Sequence, residues 1–437
     1  MNGPSKTGKT VLVQNLLSQY DPIWIDGHGL TSVDVLWARI GDRLNLYTNI
    51  KRDNSNSDEL SVNINVQAGI PGTHIATNPT YKDSTSNGYS VAVDRPIELV
   101  AREALLATER PLVIDDIHFV PRGAQEDIIK ALKPLVFGSK DAPGRRVVFI
   151  SIGNRVINVL TSLNDMRDRM LPLPVEYWET PDLITIAKDG FAKLNLDDID
   201  GELAGKLAEQ SFGSPQLMQQ LCRELCVGEP NGILGAQPRK VTLSRPNDWE
   251  AFFKAQLLDD IKAWVIKLAK GPETRGSDRK LIPIKSGGEV DAYQMVLLAV
   301  ASTGPKLDLT KDELRIAIGN VVDQVPPPKT VPTAIIKNMS LIAATKLLEK
   351  LPSLKALQDA VEAGMDPYAQ ADLQPVLEYR DAGATSTFTI TDPFFAFYLA
   401  WGLEDLLDEV NAPALAAAEE SAAQDREAEA EEWGELV

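Results

Sequence analysis

The segment that most limits the fold of this chain is Gly3-Pro-Ser-Lys-Thr-Gly-Lys-Thr10, which an apolar helical pattern, Val11–Ser18, follows directly. Glycines at this spacing let the backbone curl so that its N–H groups point at phosphate oxygens, at the positive end of the next helix. A lysine and a hydroxyl residue at the end of such a loop suit the β- and γ-phosphates and Mg²⁺. The segment therefore predicts a site for ATP with Mg²⁺ in an α/β fold.

The predicted nucleotide contacts are Gly3, Pro4, Ser5, Lys6, Thr7, Gly8, Lys9 and Thr10. Only Met1 and Asn2 precede this loop, although such a loop ordinarily leaves a central parallel strand. Without that strand, two neighbouring strand edges would lose their backbone partners. We therefore expect the first strand to be missing because the start codon is assigned too late or the chain is a fragment, and upstream in-frame DNA should encode an apolar run.

A second motif, Pro111-Leu-Val-Ile-Asp-Asp116, consists of four apolar or proline positions that lead into two carboxylates. This pattern predicts a buried strand with its acidic pair at the carboxyl end. Asp115, together with Thr10, is the predicted Mg²⁺ ligand, and Asp116 is the candidate that polarises the attacking water. His118 is interpreted as a loop histidine, since no other histidine or cysteine is close to it in the sequence.

Polar residues also follow the next apolar strand, Val147–Ile152. A polar side chain there can contact the γ-phosphate and attacking water, which makes Asn154 the first candidate and Arg155 the second. Arg167 and Arg169 lie farther along, and they suit a finger that enters the site of a neighbouring copy. They are equally suited to balance nearby aspartates on the surface, so self-association through a trans arginine is one of two interpretations.

Together these motifs resemble the AAA+/STAND branch of P-loop ATPases, and Arg167-Asp-Arg169 with Trp178 is similar to the initiator-type members. The resemblance covers roughly residues 1–230. It implies a P-loop ATPase core over residues 1–180, with a hairpin insertion at 51–94, and a helical lid over 181–230. Phe212-Gly-Ser-Pro215 resembles the Gly-x-Pro element of that lid, which makes Pro215 a nucleotide contact. Gln216 stands near the place where many members carry a second sensor arginine.

The C-terminal third predicts three helices, two strands and a last helix. A linker with one helix, Asp248–Lys270, occupies residues 231–288, and residues 289–407 follow as one domain. The predicted elements are Ala292–Ala301, Lys311–Val322, Thr333–Lys350, Val376–Arg380, Ser386–Ile390 and Phe394–Leu407. This order is typical of a winged-helix domain, and Ile390–Leu399 is similar to the end of that domain in archaeal-type ATPases. Asp392 and Pro393 are placed as N-cap and first residue of the last helix.

Charge argues against a general nucleic-acid binder. The chain carries 44 basic and 62 acidic residues, with a net charge of −18, which is a poor field for holding a phosphate backbone. Residues 408–437 form an acidic Ala/Glu-rich tail, interpreted as disordered. Lys337 and Lys346 lie on the helix that would enter a major groove, but arginines for guanine contacts are missing there. DNA binding is therefore possible, and docking of a protein partner is slightly favoured.

The remaining features place the protein in a reducing compartment. The chain has two cysteines, Cys222 and Cys226, which are four residues apart on the lid helix and are interpreted as core filling. No stretch is long and apolar enough for a membrane span, and lysines near Met1 argue against a signal peptide. We expect a cytoplasmic protein without membrane contact.

These observations predict an ATP-binding and slowly hydrolysing molecular switch whose winged-helix domain reports the nucleotide state to a partner. Two alternatives remain open from the sequence. One is a DNA-binding regulator that oligomerises on DNA under control of ATP, and the other is a signalling or phage-defence ATPase of the STAND type. Gene neighbours would distinguish the second alternative, and salt-sensitive DNA retention would distinguish the first.

Overall fold

A computed structural model describes residues 1–46, 49–52, 91–137, 144–152, 171–272, 279–323, 332–343, 376–380 and 386–411. The chain divides into two compact units. The first contains Met1–Gly3 and Gly8–Val175, and the second contains Pro4–Thr7 and Glu176–Val437. Residues 53–90 of the predicted hairpin insertion at 51–94 lie outside the described residues. The segments on either side of them, Asn49–Arg52 and Val91–Asp94, pair antiparallel.

Apolar strand segments of the first unit form a parallel sheet. Leu112–Asp115 lies in the middle, with Ile23–Asp26 on one side and Val147–Phe149 on the other, and both pairings are parallel. All four residues of Leu112–Asp115 are buried, as expected for a strand that is covered on both faces. The α/β class predicted from the sequence is therefore confirmed.

The place of the first strand is filled by Asn2–Gly3. These two residues pair in parallel with Ser151–Ile152, and Asn2 forms a parallel bridge to Pro174 on its other side. The ammonium group of Met1 donates to the carbonyl of Phe149 at 2.8 Å. The position that the sequence left without a strand is thus occupied by two residues, of which Asn2 is paired on both sides.

Helices of the first unit pack on this sheet through apolar side chains. The helices are Lys9–Leu17, Val33–Arg43, Ile97–Ala107 and Arg122–Phe137, with short 3₁₀ turns at Ser18–Tyr20 and Ile117–Phe119. The core is formed by buried residues of three helices and two strands: Val33–Arg43, Ile97–Ala107, Arg122–Phe137, Ile23–Asp26 and Leu112–Asp115. Leu36, Trp37 and Ile40 are its centre, because their spacing places them on one helix face.

The second unit is mainly helical. Its helices are Thr180–Lys193, Glu202–Glu209, Pro215–Val227, Trp249–Lys254, Asp259–Lys270, Ala292–Ala301, Lys311–Val321, Pro332–Ala343 and Pro393–Trp401, and residues 403–411 are also helical. The predicted single helix Asp248–Lys270 is wrong, since Leu258 is extended and the acidic pair behind it begins a new helix. The predicted helix Phe394–Leu407 is likewise interrupted at Gly402.

A small antiparallel sheet lies beside the C-terminal helices. Its strand order is Asp308–Thr310, Thr387–Ile390, Leu377–Arg380, so the predicted two-stranded hairpin gains a third strand. Two further strand pairs occur, Leu196–Asp197 with Val241–Thr242 and Ile282–Pro283 with Glu289–Val290. The N-cap prediction for the last helix is confirmed, because the Asp392 side chain accepts the N–H of Phe394 at 2.8 Å.

One apolar core connects described parts of the second unit from Leu183 to Leu407. It includes residues of the helices from Thr180–Lys193 onward and extends to Leu407. Aromatic side chains connect the parts of this core. The ring of Phe253 lies 4.6 Å from that of Trp401 and 6.0 Å from that of Phe397, and Trp401 donates to Gln210 at 3.0 Å. Segments that the sequence divided into lid, linker and C-terminal domain therefore share one core.

Candidate nucleotide-binding site

The phosphate-binding loop, residues 3–10, is shaped by its two glycines. Gly8 has φ of 86° and immediately precedes the helix Lys9–Leu17, a left-handed conformation that glycine adopts at little cost. At Gly3 a Cβ atom would lie 2.1 Å from the carbonyl oxygen of Val175. Gly3 is therefore needed because the loop leaves the sheet against a neighbouring backbone.

Lys9 lies at the base of the loop with its side chain buried. Its Nζ donates to the carbonyl of Gly3 at 3.2 Å, which draws the ammonium group back across the loop. Burial lowers the pKa of Lys9 to about 8, and the nearby carboxylates of Asp116 and Asp115 oppose this shift. A phosphate group would supply the negative charge that favours the protonated lysine.

Thr10 and Asp115 meet although they are 105 residues apart in the chain. The Thr10 hydroxyl donates to Asp115 Oδ1 at 3.3 Å, and the Asp116 N–H donates to the same oxygen at 3.0 Å. A hydroxyl and one carboxylate are oxygen donors of the kind that Mg²⁺ uses, with phosphate and water supplying its other ligands. The two residues predicted from the sequence as Mg²⁺ ligands therefore fit that ion by their chemistry and their contact.

Asp116 is held in an unusual backbone conformation. Its φ is 51°, and its Oδ1 lies 3.9 Å from Nδ1 of His118, whose side chain is buried in the turn Ile117–Phe119. Burial raises the pKa of Asp116, and repulsion from Asp115 raises it further. Burial also raises the pKa of Asp115, while the hydrogen bond from Thr10 lowers it. Two adjacent carboxylates thus stand beside a buried lysine, an arrangement that Mg²⁺ and phosphate would neutralise.

Two residues at this edge of the sheet, Asp26 and His28, were not predicted from the sequence. Asp26 ends the strand beside Leu112–Asp115 and is in register with Asp115. It accepts hydrogen bonds from the N–H and from ring Nδ1 of His28 at 2.8 and 3.0 Å. Burial pushes the pKa of Asp26 upward, but these hydrogen bonds outweigh it and leave the pKa lowered. An aspartate directly after three apolar residues, the pattern of Leu112–Asp115, was the available signal.

Other predicted site residues lie elsewhere. Pro215 is the first residue of the helix Pro215–Val227, which Ser214 caps through a hydrogen bond from Leu217 N–H. Lys337 is exposed on the helix Pro332–Ala343, with Nζ 5.9 Å above the Tyr379 ring. Outside the described residues lie Asn154, Arg155, Arg167, Arg169 and Lys346.

In the part of the chain that the structure describes, no group of three or more His, Cys, Asp or Glu side chains is arranged to hold a metal ion. Every helix there is too short or too polar to cross a bilayer. Cys226 is buried and Cys222 half-buried, in contact with the apolar core of the second unit.

Comparison with known proteins gave structural neighbours only, since no family model and no curated protein matches. Cdc6p from Pyrobaculum aerophilum is 12% identical, with a TM-score of 0.36 over 93% of this chain and 86% of that one. These are distant likenesses. The ORC2 protein of Aeropyrum pernix, solved as ADPNP-ADP complexes, is 12% identical with a TM-score of 0.40 over 95% and 88%. A RuvB mutant from Thermotoga maritima is 13% identical with a TM-score of 0.34 over 63% and 70%.

Proposed function

We propose that this protein is an AAA+/STAND-type ATPase that binds ATP with Mg²⁺ in its phosphate-binding loop, hydrolyses it slowly and acts as a molecular switch. The observation that carries the proposal is the 3.3 Å contact between the Thr10 hydroxyl and Asp115, beside the buried Lys9. Three side chains from two distant motifs thereby meet at the carboxyl edge of a parallel sheet, where ligands bind in open α/β folds.

Each residue has a distinct part in the proposed reaction. Lys9 binds the β- and γ-phosphates, and Thr10 and Asp115 hold Mg²⁺, which neutralises charge on the transferred phosphoryl group. Asp116 orients and polarises the attacking water; the raised pKa of its carboxyl group favours acceptance of a proton. Asn154 as the γ-phosphate sensor and Arg167 and Arg169 as a finger in a neighbouring copy complete the site and stay predictions.

The output of the switch is proposed to be a winged helix that meets a protein partner in the cytoplasm. The helices Ala292–Ala301, Lys311–Val321 and Pro332–Ala343 and the adjacent three-stranded sheet supply its parts. All three helices contribute buried residues to the core that the sheet also covers. Pro215, at the start of its helix, is proposed to meet the nucleotide when the lid closes.

Calorimetry with ATP and Mg²⁺ and phosphate release test the proposal on the full chain. Lys9→Ala should abolish binding, whereas the matched control Lys130→Ala, which removes an exposed lysine on Arg122–Phe137, should bind as the wild type does. Asp116→Asn should keep binding and lose turnover by about 100-fold or more. If wild-type protein produces no binding heat, or if Asp116→Asn turns over normally, the assignment fails.

A further inference from the structure

The apex of the phosphate-binding loop, Pro4–Thr7, belongs to the second unit. Its backbone is held at three successive residues. The Ser5 N–H donates to the carbonyl of Thr391 at 3.4 Å, and the Ser214 hydroxyl donates to the carbonyl of Lys6 at 3.3 Å. The indole N–H of Trp178 donates to the carbonyl of Thr7 at 3.1 Å. Three separate segments of the unit therefore hold the apex.

The side chain of Lys6 adds an ion pair to these contacts. Its Nζ lies 3.2 Å from Oδ2 of Asp392 and 4.0 Å above the ring of Phe394. The Asp392 side chain is only 11% exposed, so solvent screens this pair less than a surface pair. Oδ1 of the same carboxylate caps the helix Pro393–Trp401 through the Phe394 N–H. One aspartate thus binds both the loop and the start of this helix.

The backbone of Lys6 is in the left-handed region, with φ of 59°. This conformation costs free energy for a residue with a Cβ atom, whereas glycine adopts it at little cost. Strain of this kind persists where surrounding contacts impose it, and it is frequent at switch positions. The contacts of Lys6 with Asp392, Phe394 and Ser214 are such contacts.

We propose that the Lys6–Asp392 ion pair is a latch and that a bound triphosphate opens it. This inference rests on the proposed function of the loop. A triphosphate carries more negative charge than one carboxylate, so it competes for the Lys6 ammonium group. It also competes for the Ser5 N–H, which donates to the carbonyl of Thr391. Opening separates the loop from the N-terminus of Pro393–Trp401. The state of the nucleotide thereby reaches a helix far along the chain.

Asp392→Asn tests the latch without touching the nucleotide site. Asparagine is as good an N-cap as aspartate, so the helix start is retained while Lys6 loses the carboxylate with which it pairs. ATP no longer competes with the carboxylate, and we expect at least about fivefold tighter binding. The matched control is Asp408→Asn, an exposed aspartate on 403–411, which should bind ATP with wild-type affinity.

A double-mutant cycle with Lys6→Met shows whether the gain passes through Lys6. In the Lys6→Met background, Asp392→Asn should change ATP affinity by less than about twofold. Hydrogen exchange supplies a second measurement. Backbone amides of 387–394 should exchange faster when ATP is added to the wild type. In Asp392→Asn they should exchange at that faster rate without ATP.

The outcomes separate the two proposals. The latch is overturned, and the proposed function stands, if the wild type binds ATP but Asp392→Asn binds it no tighter. The same holds if Asp392→Asn raises ATP affinity equally in the wild-type and Lys6→Met backgrounds. If the wild type binds no ATP, both are overturned.

Discussion

At the scale of single residues, the charge state of Lys9 controls the first contact with phosphate. Burial lowers the pKa of this lysine to about 8, and a bound triphosphate restores a higher value because it favours the cation. Binding therefore takes up a proton above pH 8. Affinity is therefore full well below pH 8 and falls as the pH rises through the pKa of Lys9 in the free protein.

We therefore expect ATP affinity to fall about tenfold between pH 7 and pH 9, as the protonated fraction of Lys9 falls. Isothermal calorimetry in two buffers of different ionisation enthalpy should show proton uptake at the upper end of this range. Lys9→Arg is the control, because a guanidinium group does not titrate there, and its affinity should be flat with pH. A flat profile for the wild type would contradict the assigned role.

Reactivity of the cysteines is a second property of single residues. Burial, together with repulsion from Cys226 and Asp198, raises the pKa of Cys222 to about 12. The reactive thiolate is therefore nearly absent at pH 8. A chromogenic disulfide reagent at that pH should label the native protein slowly and the denatured protein rapidly. Fast labelling of the native protein would show that these thiols are not core filling.

At the scale of elements, Asp291 and Asp248 are both helix N-caps of the second unit, but they differ in what else they bind. Asp291 begins the helix Ala292–Ala301 with a capping box, is buried, and pairs with Arg279 at 2.7 Å. Asp248 caps Trp249–Lys254 through the N–H groups of Glu250 and Ala251 and is exposed. Asp291 therefore satisfies a helix start and a guanidinium group together.

Asp291→Ala should lower the free energy of unfolding by about 3 kcal/mol, because the cap is lost and a half-buried guanidinium group loses its carboxylate. Asp248→Ala, the matched control, should cost about 1 kcal/mol. Urea unfolding followed by circular dichroism measures both. Equal losses would mean that Arg279 adds nothing to the stability that Asp291 provides.

Elements with local signals could be predicted from the sequence. Asp392 followed by Pro393 is a typical helix start, and the structure has the N-cap at Asp392. The strand Asp308–Thr310 could not be predicted, because three residues show no periodicity and their pairing with Thr387–Ile390 depends on chain far away. The two motifs predicted that Thr10 and Asp115 act together, whereas neither motif predicts the contact of Lys6 with Asp392.

At the scale of the whole molecule, stability of the second unit depends on the aromatic group at Phe253. This ring is fully buried. It stacks on Trp249 at 5.4 Å and lies 4.6 Å from Trp401, and the apolar cluster around it continues into the lid helices and the C-terminal sheet. Because the described residues of these parts belong to one apolar cluster, the parts should unfold cooperatively.

Phe253→Ala should therefore cost about 4 kcal/mol, through lost burial and a residual cavity. Hydrogen exchange under native conditions should show that helices from Thr180–Lys193 to Pro393–Trp401 lose protection together. Leu234→Ala is the control, because Leu234 is 87% exposed and its loss should leave exchange unchanged. Protection lost only in Trp249–Lys254 and Pro393–Trp401 would instead divide the unit into independently stable parts, and the shared core would not join the lid helices to the C-terminal sheet.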